Sequence, residues 1–488
     1  MKLLFLSSLL VASTASAATY HVATTGSDSA DGSSGSPWLT IQHAADRVQP
    51  GDTVLVHAGT YTGFSVGVHA TATAPIAFVA DGTVNIDGAA TTDRDAIHVE
   101  GASYISVEGF TVTHATRTGF SAIDCDHITF RKNKADQNAK WGFFSAFCES
   151  WTVEDNEASR SGSQHGIYAS NSADHPVIRG NKIWGNAAAG IHINGDITQG
   201  GDGVISNALV ENNYIHDNGA LGGSAINCDG VTNSVIRNNV LDNNHASGVS
   251  LYQIDGGAPS TGNQVVNNTI RMATNARFAI NIQDGSTNNT LRNNILLDTA
   301  PGRGAIDICS ACLPGLSSDY NAGTDAWSVD GNVMSLAAWK TRTGGDVHSF
   351  TAADTDLFAT GTLELREGSP AIDAGTSTGA PATDFAGTAR PQGADFDIGA
   401  YEHCGGPCTG ATGSGGSGTG GGSGSDTGAG SDTGAGSDTG SDGQGSSYVG
   451  PPQNPTGSGG CSTGGTAGIV ALGLLALPLR RRPRRRKC

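Results

Sequence analysis

Seven asparagines set a register through the middle of this chain. Asn133, Asn156, Asn181, Asn213, Asn239, Asn268 and Asn294 follow one another at intervals of 23, 25, 32, 26, 29 and 26 residues. Each closes a short alternating run, such as Thr-Val-Glu-Asp before Asn156 or Val-Ile-Arg-Gly before Asn181. A second polar column follows five residues later at Asn138, Ser161, Asn186, Asn218 and Asn244. A fixed period of this size marks a repeat architecture, in which each unit buries its apolar face only by stacking on its neighbours. The runs are too short and too strand-like for helical repeats. Asparagine suits both a tight left-handed bend and a ladder of stacked side-chain amides. Its general abundance in turns accounts for composition but not for register. The expected fold class is all-β, a parallel β-helix (solenoid).

The other bulk properties agree. Among 488 residues, 71 are glycine, 15% are charged and 6% are aromatic, a profile of turns and short strands. The formal charge is -18 even though residues 480–488 contribute seven Arg and Lys, so the rest is more acidic still. Such a field disfavours a nucleic-acid partner. Met1 to Ala17 reads as a secretory leader, with Lys2, an apolar stretch from Leu3 to Ala12 and an Ala15-Ser16-Ala17 cleavage site. Export permits disulfides. Cys125 and Cys148 occupy equivalent positions in successive repeats, where stacking brings backbones to about 5 Å, within disulfide range. Cys309/Cys312 and Cys404/Cys408 are local pairs without the second pair a zinc finger needs. Cys228 falls at an inward position as a small core hydrophobe.

Composition divides the chain. Residues 18–62 form an N-terminal cap and first coil, with an amphipathic helix over Thr40 to Val48 presenting Ile41, Ala44, Ala45 and Val48 on one face. Repeats occupy 63–312, and irregular final coils with a C-terminal cap occupy 313–404. Residues 405–460 collapse to Gly, Ser, Thr and Asp, a disordered linker that cannot bury enough apolar surface to order itself. Residues 461–488 hold Cys461, a short apolar segment from Ala467 to Leu479 and an Arg cluster. This is the only part expected to meet a membrane, and it is shorter than the usual ~20-residue span.

Two resemblances follow from these residues. The stretch from Gly26 through Ser36-Pro-Trp-Leu-Thr-Ile-Gln-His-Ala-Ala-Asp to Gly59-Thr-Tyr61 resembles the opening of pectate-lyase-like right-handed parallel β-helix proteins. That family includes pectate, alginate and chondroitin lyases. Gly368-Ser-Pro-Ala-Ile-Asp-Ala-Gly375 and Asp395-Phe-Asp-Ile-Gly-Ala-Tyr-Glu402 are similar to the closing segment of such surface proteins. The tail resembles myxobacterial-type C-terminal sorting tails. Together they imply a right-handed helix, an outer-surface or secreted location with anchoring through the tail, and an extracellular polysaccharide as partner. A monomer is expected.

Aligning the repeats on the asparagine column places one strand per rung in register: Ile167 to Ser170, Ile191 to Asn194, Ile226 to Asp229, Val249 to Tyr252, Ile280 to Gln283 and Ile306 to Cys309. Alternation sends Ile, Val, Leu, Ala and Cys inward and leaves polar residues outward. The outward strip carries His, Tyr, Asp and Asn but no Lys, Arg or Glu, unlike a surface made only for solubility. Both enlarged intervals follow this strand, at Gly195 to Gly203 and at Asp255 to Thr261, and insertions in repeat proteins often wall a binding face. Catalytic residues are therefore expected among His192, Asp229, Tyr252 and His165. Tyr168, Asn194, Asn227, His245 and Gln283 are expected to bind substrate.

Two chemistries fit, and elimination from an acidic polysaccharide is the first reading. β-Elimination from an acidic polysaccharide needs a base, for which His192 with an ordinary pKa of about 6.5 is suited, and a tyrosine to return the proton. Related lyases often neutralise the uronate with Lys or Arg and calcium. Here Lys140 and Arg277 are the nearest cations, so neutralisation falls to calcium held by Asp196, Asp202, Asp229 or Asp255, an oxygen set that ion accepts. Glycoside hydrolysis would instead use Asp229 with Asp196 or Asp255. A non-catalytic carbohydrate-binding surface protein is the reading from another class.

Overall fold

The computed structural model describes residues 17–91 and 94–406. The expected leader up to residue 16, the expected linker beyond 406 and the expected sorting tail lie outside the described residues. Strand pairing is parallel from rung to rung. Val177–Arg179, Lys182–Trp184 and Ile191–Asn194 lie beside Leu209–Glu211, Tyr214–His216 and Ile226–Asp229, pairing Val177 with Leu209, Lys182 with Tyr214 and Ile191 with Ile226. The sheet that carries the outward strip has twelve strands, and only the last, Asn332–Met334, is antiparallel to its neighbour. This is a parallel β-solenoid of about eleven turns. Its inward positions fill the core: Ile191, Ile226, Val249, Ile280 and Ile306 are each 0% exposed. Cys228 is buried and unpaired among them.

The asparagine ladder is continuous. Each Asn accepts on Oδ1 from the backbone N–H of the preceding ladder residue, as in Asn181 N to Asn213 Oδ1 at 3.0 Å and Asn213 N to Asn239 Oδ1 at 3.0 Å. Each Nδ2 reaches back to a carbonyl of the preceding rung, three residues before that rung's ladder position, such as Asn213 to Ile178 O at 2.9 Å. The left-handed bend belongs to the residue before each ladder Asn. Lys132, Asp155, Gly180, Asn212, Asn238, Asn267 and Asn293 have φ between 52° and 66°. Asparagine is thus used twice, outside the turn for backbone conformation and inside it for amide pairing. The second column pairs likewise from Ser161 N to Asn186 Oδ1 and Asn218 N to Asn244 Oδ1.

Both ends are closed. At the N-terminal end the helix Ile41–Ala45, capped by the Thr40 side chain, buries Ile41, Ala44 and Ala45. It ends at Asp46, a turn short of the expected span. At the other end the ladder runs on to Asn321 and regular pairing to Trp327–Val329, past residue 312. There the helix Leu336–Thr343 sets buried Trp339 against Trp327, ring centroids 5.4 Å apart. Residues beyond 352 run back along the side as a strap. The bend asparagines hold it: Asn238 donates to Thr383 O at 2.7 Å and Asn293 to Thr376 O at 2.7 Å. The strap covers outward Val240, Ile295 and Leu297 with Leu357, Phe358, Ile398 and Ala400, around a fully buried Arg390–Glu402 pair at 2.5 Å. Disulfides join Cys125 to Cys148 and Cys309 to Cys312, with Cα separations of 4.4 and 5.0 Å. Among the described residues no helix is long and apolar enough to cross a membrane.

One ladder position carries a carboxyl group. Asp298 continues the register of Asn244 and Met272, is 1% exposed, and spends one oxygen on the Ala300 N–H at 2.8 Å while Oδ2 has no partner. Burial pushes its pKa up to about 6. A folded value above the unfolded one stabilises only while the group is protonated. Its contribution is full below about pH 4 and is lost as pH rises through about 6. Asp298→Asn, which keeps the cap without the charge, is expected to raise stability at pH 8 by about 1–3 kcal/mol and leave it little changed at pH 4. Denaturant melts at the two pH values check this, and an equal gain at both would exclude the buried charge as the cause.

Candidate active site

The strands Ile167–Ser170, Ile191–Asn194, Ile226–Asp229 and Val249–Tyr252 pair in the expected register, stacking Tyr168, His192, Asn227 and Ser250 in one outward column and Ser170, Asn194, Asp229 and Tyr252 in the next. The columns are outward but not open. His192 is 9% exposed, Asn194 4% and Asp229 1%, because the two insertions fold over them. Glycines make that closure possible. A Cβ on Gly257 would lie 2.2 Å from Asp202 O, and one on Gly203 would lie 2.8 Å from Gly257 N. The loops touch through Gly257 N to Gly203 O at 2.6 Å and Ile197 N to Asp255 O at 3.0 Å.

Asp229 is the clamp of this arrangement. Its carboxylate accepts the backbone N–H groups of Ile254, Asp255 and Gly256 at 2.9, 2.9 and 3.0 Å. Burial raises its pKa against the pull of those three donors. An acceptor so engaged holds the second loop in place, a positioning contact made by a residue expected to be catalytic.

The histidines also differ from expectation. His165 and His192 stack at 4.6 Å with rings 8° from parallel. His165 Nδ1 accepts the Ala189 N–H at 3.1 Å. His192 Nδ1 lies 2.9 Å from Asn227 Nδ2, which also donates to the Tyr252 hydroxyl at 2.7 Å. A neutral ring accepting at Nδ1 carries its proton on Nε2 and is a donor there. Burial lowers His192 to about 3 and holds His165 well below the usual imidazole range, with His192 adding to the latter. His192 is therefore an uncharged donor, and the ordinary pKa expected of a base does not hold. Tyr252, 7% exposed, is a buried partner of Asn227.

What the fold does bring together is a carboxyl pair. Asp196 and Asp255 follow strands two rungs apart, on either side of the rung of Asp229, and the charge of Asp196 is felt at Asp255. Asp255 is pushed up, first by burial and then by the charge of Asp196, while the Asn194 amide donates to it. Asn194 also accepts the Asp196 N–H at 3.2 Å and donates to the Tyr168 hydroxyl at 3.4 Å. Asp196 spends one oxygen on Thr198, accepting both its N–H at 3.1 Å and its hydroxyl at 2.5 Å. Tyr168 packs edge-on to His192 at 4.9 Å, and burial drives its phenol above the ordinary range. The site thus contains one carboxyl group biased toward protonation, a second carboxyl group nearby, and uncharged phenol, amide and imidazole donors.

Other expected members stand apart. His245 bonds Asn275 at 2.9 Å. Gln283 bonds Asn281 at 3.0 Å and Asp307 at 3.1 Å, beyond the second loop. Asp202 is exposed at the first loop and accepts the Val204 N–H at 2.9 Å. Of the oxygen ligands expected for calcium, Asp196 and Asp255 remain adjacent, and the Asn194 side chain, expected to bind substrate, contacts both residues. They fit a hard cation in kind, but among the described residues no three His, Cys, Asp or Glu side chains converge. The aromatic residues Trp141 and Phe144, which pack on Tyr168 at 5.5 and 5.6 Å, escaped the sequence reading. Extending the aligned register one rung earlier, to Phe143, would have found them.

A family model for the right-handed β-helix region matches residues 68–183, 95–252 and 148–313, which together span half of the chain. The chain belongs to the right-handed β-helix family. Among curated proteins none matches this member significantly. Of solved structures, it is similar to the pectate lyase Pel9A at 21% identity and a TM-score of 0.56, covering 79% of this chain and 96% of that one. An alginate lyase from Paenibacillus sp. str. FPU-7 aligns at 18% identity over 59% of this chain and 97% of its own, with a TM-score of 0.46. A rhamnogalacturonan lyase aligns at 13% identity over 71% and 94%, with a TM-score of 0.45.

Proposed function

We propose that this β-helix protein is an exported enzyme that cleaves an extracellular polysaccharide on the strip between its two insertion loops, with Asp255 and Asp196 moving the protons. The carrying observation is the pair itself: two carboxyl groups from rungs two apart, one biased toward protonation by burial and by the other's charge. Environments that push paired carboxyl groups apart separate an acid from a base. Asp255 would protonate the leaving glycosidic oxygen. Asp196 would accept a proton from water or attack the anomeric carbon, while Tyr168, Asn194 and His192 Nε2–H orient the sugar hydroxyls. Hydrolysis is the reaction this arrangement favours.

β-Elimination is the second reading. It is supported by the uncharged donors, since Tyr168, Asn194 and His192 could hydrogen-bond a uronate carboxylate as its α-proton leaves. Calcium bound by Asp196, Asp255 and Asn194 would supply positive charge for that carboxylate.

One experiment separates these readings. Full-length protein is incubated with uronate and neutral polysaccharides, with and without EDTA, and both reducing ends and unsaturated ends are measured. Intact cells that produce the protein are assayed in parallel. Hydrolysis predicts new reducing ends without unsaturated product, insensitive to EDTA, and activity on polymer added outside the cells. Unsaturated ends abolished by EDTA and restored by calcium would transfer the assignment to elimination. Binding without either product would make this a carbohydrate-binding surface protein, and activity only after lysis would reject export.

A further inference from the structure

We propose that the chain is processed at the Ala17–Ala18 bond and that the freed Ala18 amine becomes the counter-ion of buried Asp52, so that processing completes the N-terminal closure of the solenoid. The inference rests on the export reading and not on the reaction. Asp52 is 4% exposed, and its two carboxylate oxygens accept one backbone donor each, Ala18 N at 2.9 Å and Gln49 N at 2.8 Å. Among the described residues no Lys, Arg or His side chain pairs with it. A buried carboxylate that meets only neutral donors keeps an uncompensated charge, which is costly to hold away from water.

In the unprocessed chain Ala18 offers Asp52 a peptide N–H. Hydrolysis of the Ala17–Ala18 bond by a leader-removing protease adds water across it. It leaves a carboxylate on Ala17 and passes the acid's proton to the new amine of Ala18. The same contact then joins an ammonium to a carboxylate, a stronger bond than the neutral one it replaces. Ala18 is also held by its carbonyl, which accepts Thr53 N at 2.8 Å and keeps the amine beside Asp52 after the cut. The strand that follows, Thr19–Val22, is the first of the solenoid and pairs Thr19 with Thr53 and Val22 with Val56. Tyr20 stacks on Trp38 at 4.6 Å, and Val22 is 0% exposed. Chain ends fray most readily, so an ion pair at the residue before this strand secures the closure. Small residues at Ser16 and Ala18 would equally allow cleavage one bond later. That product would begin at Thr19 and lose both the amine facing Asp52 and the carbonyl bonded to Thr53.

The test first sequences the terminus of the exported full chain, which should begin at Ala18. Hydrogen exchange then compares that chain with one that keeps Ser16-Ala17 ahead of Ala18, each with and without Asp52→Asn. The amides followed are those of His21, which donates to Gly32 O, and Thr53, which donates to Ala18 O. With Ala18 as the terminus, Asp52→Asn is expected to speed their exchange about 10–100-fold, the size of one lost hydrogen bond to a charged group. In the extended chain the same substitution should change exchange about threefold or less, because the donor there is uncharged. An exported chain beginning elsewhere, or equal effects of Asp52→Asn in both chains, would overturn the proposal. Failure of export looks different and removes both readings: the protein would stay in the cell lysate, still beginning at Met1.

Discussion

Asp255→Asn is expected to lower turnover by about 10²–10⁴-fold, the usual contribution of a positioned acid, with strand content and melting temperature close to wild type. The side chain remains and can still accept from Asn194, so the loss should fall on kcat rather than KM. Asp196→Asn should be as damaging at the pH optimum and adds a second signature. Asp255 is held up partly by the charge of Asp196. As the acid, Asp255 must be protonated, so the rate falls as pH rises through its elevated pKa. Neutralising Asp196 lowers that pKa and should move the alkaline limb of residual kcat/KM to lower pH. Residual activity above a tenth of wild type in Asp255→Asn, or a limb that stays in place in Asp196→Asn, would end the pair assignment. If His192→Ala were the more damaging change, elimination would return as the first reading.

Asn213→Leu is expected to be the most destabilising single change of the ladder type, by about 3–5 kcal/mol. Asn213 is 0% exposed. Its Oδ1 accepts from Asn181 N at 3.0 Å and Asn181 Nδ2 at 2.9 Å, and its Nδ2 donates to Ile178 O and Asn239 Oδ1, both at 2.9 Å. Leucine is close in size but leaves those partners buried and unpaired, at about 1–3 kcal/mol per orphaned group before relaxation. Each ladder Asn serves neighbours on both sides, so the damage should propagate. Hydrogen exchange should rise at Asn181 and Asn239 together. A loss under about 1 kcal/mol would mean that water or a shifted backbone repairs the turn.

The architecture was legible because its cause is local. Each rung repeats the same demand, a polar side chain inside a narrow turn followed by alternating apolar positions. The asparagine period therefore reported fold, register and even the Cys125–Cys148 bridge without reference to distant residues. The inward column of Ile191, Ile226 and Val249 and the capping face of Ile41, Ala44 and Ala45 followed from the same alternation. Which residue adopts the left-handed bend was misread by one position, since asparagine is chemically suited to both the bend and the ladder.

The site was legible only as an address. Register placed Tyr168, His192, Asn194 and Asn227 on one strip, and the two swollen intervals located Asp196 and Asp255 at its edge. Tertiary contacts alone decided what these residues can do. Loops folding over the strip drive His192 to about 3 and leave it a donor. Three backbone N–H groups from the second loop claim Asp229. A carboxyl pair forms across an intervening rung because interlocking glycines let the loops meet. The path of residues 352–403 along the solenoid's side was equally invisible, since it depends on outward apolar residues of rungs far away in sequence. Periodicity determines which face a side chain occupies. Burial, charge and hydrogen bonding at that face depend on segments that share no period with it, and so only the folded molecule specifies them.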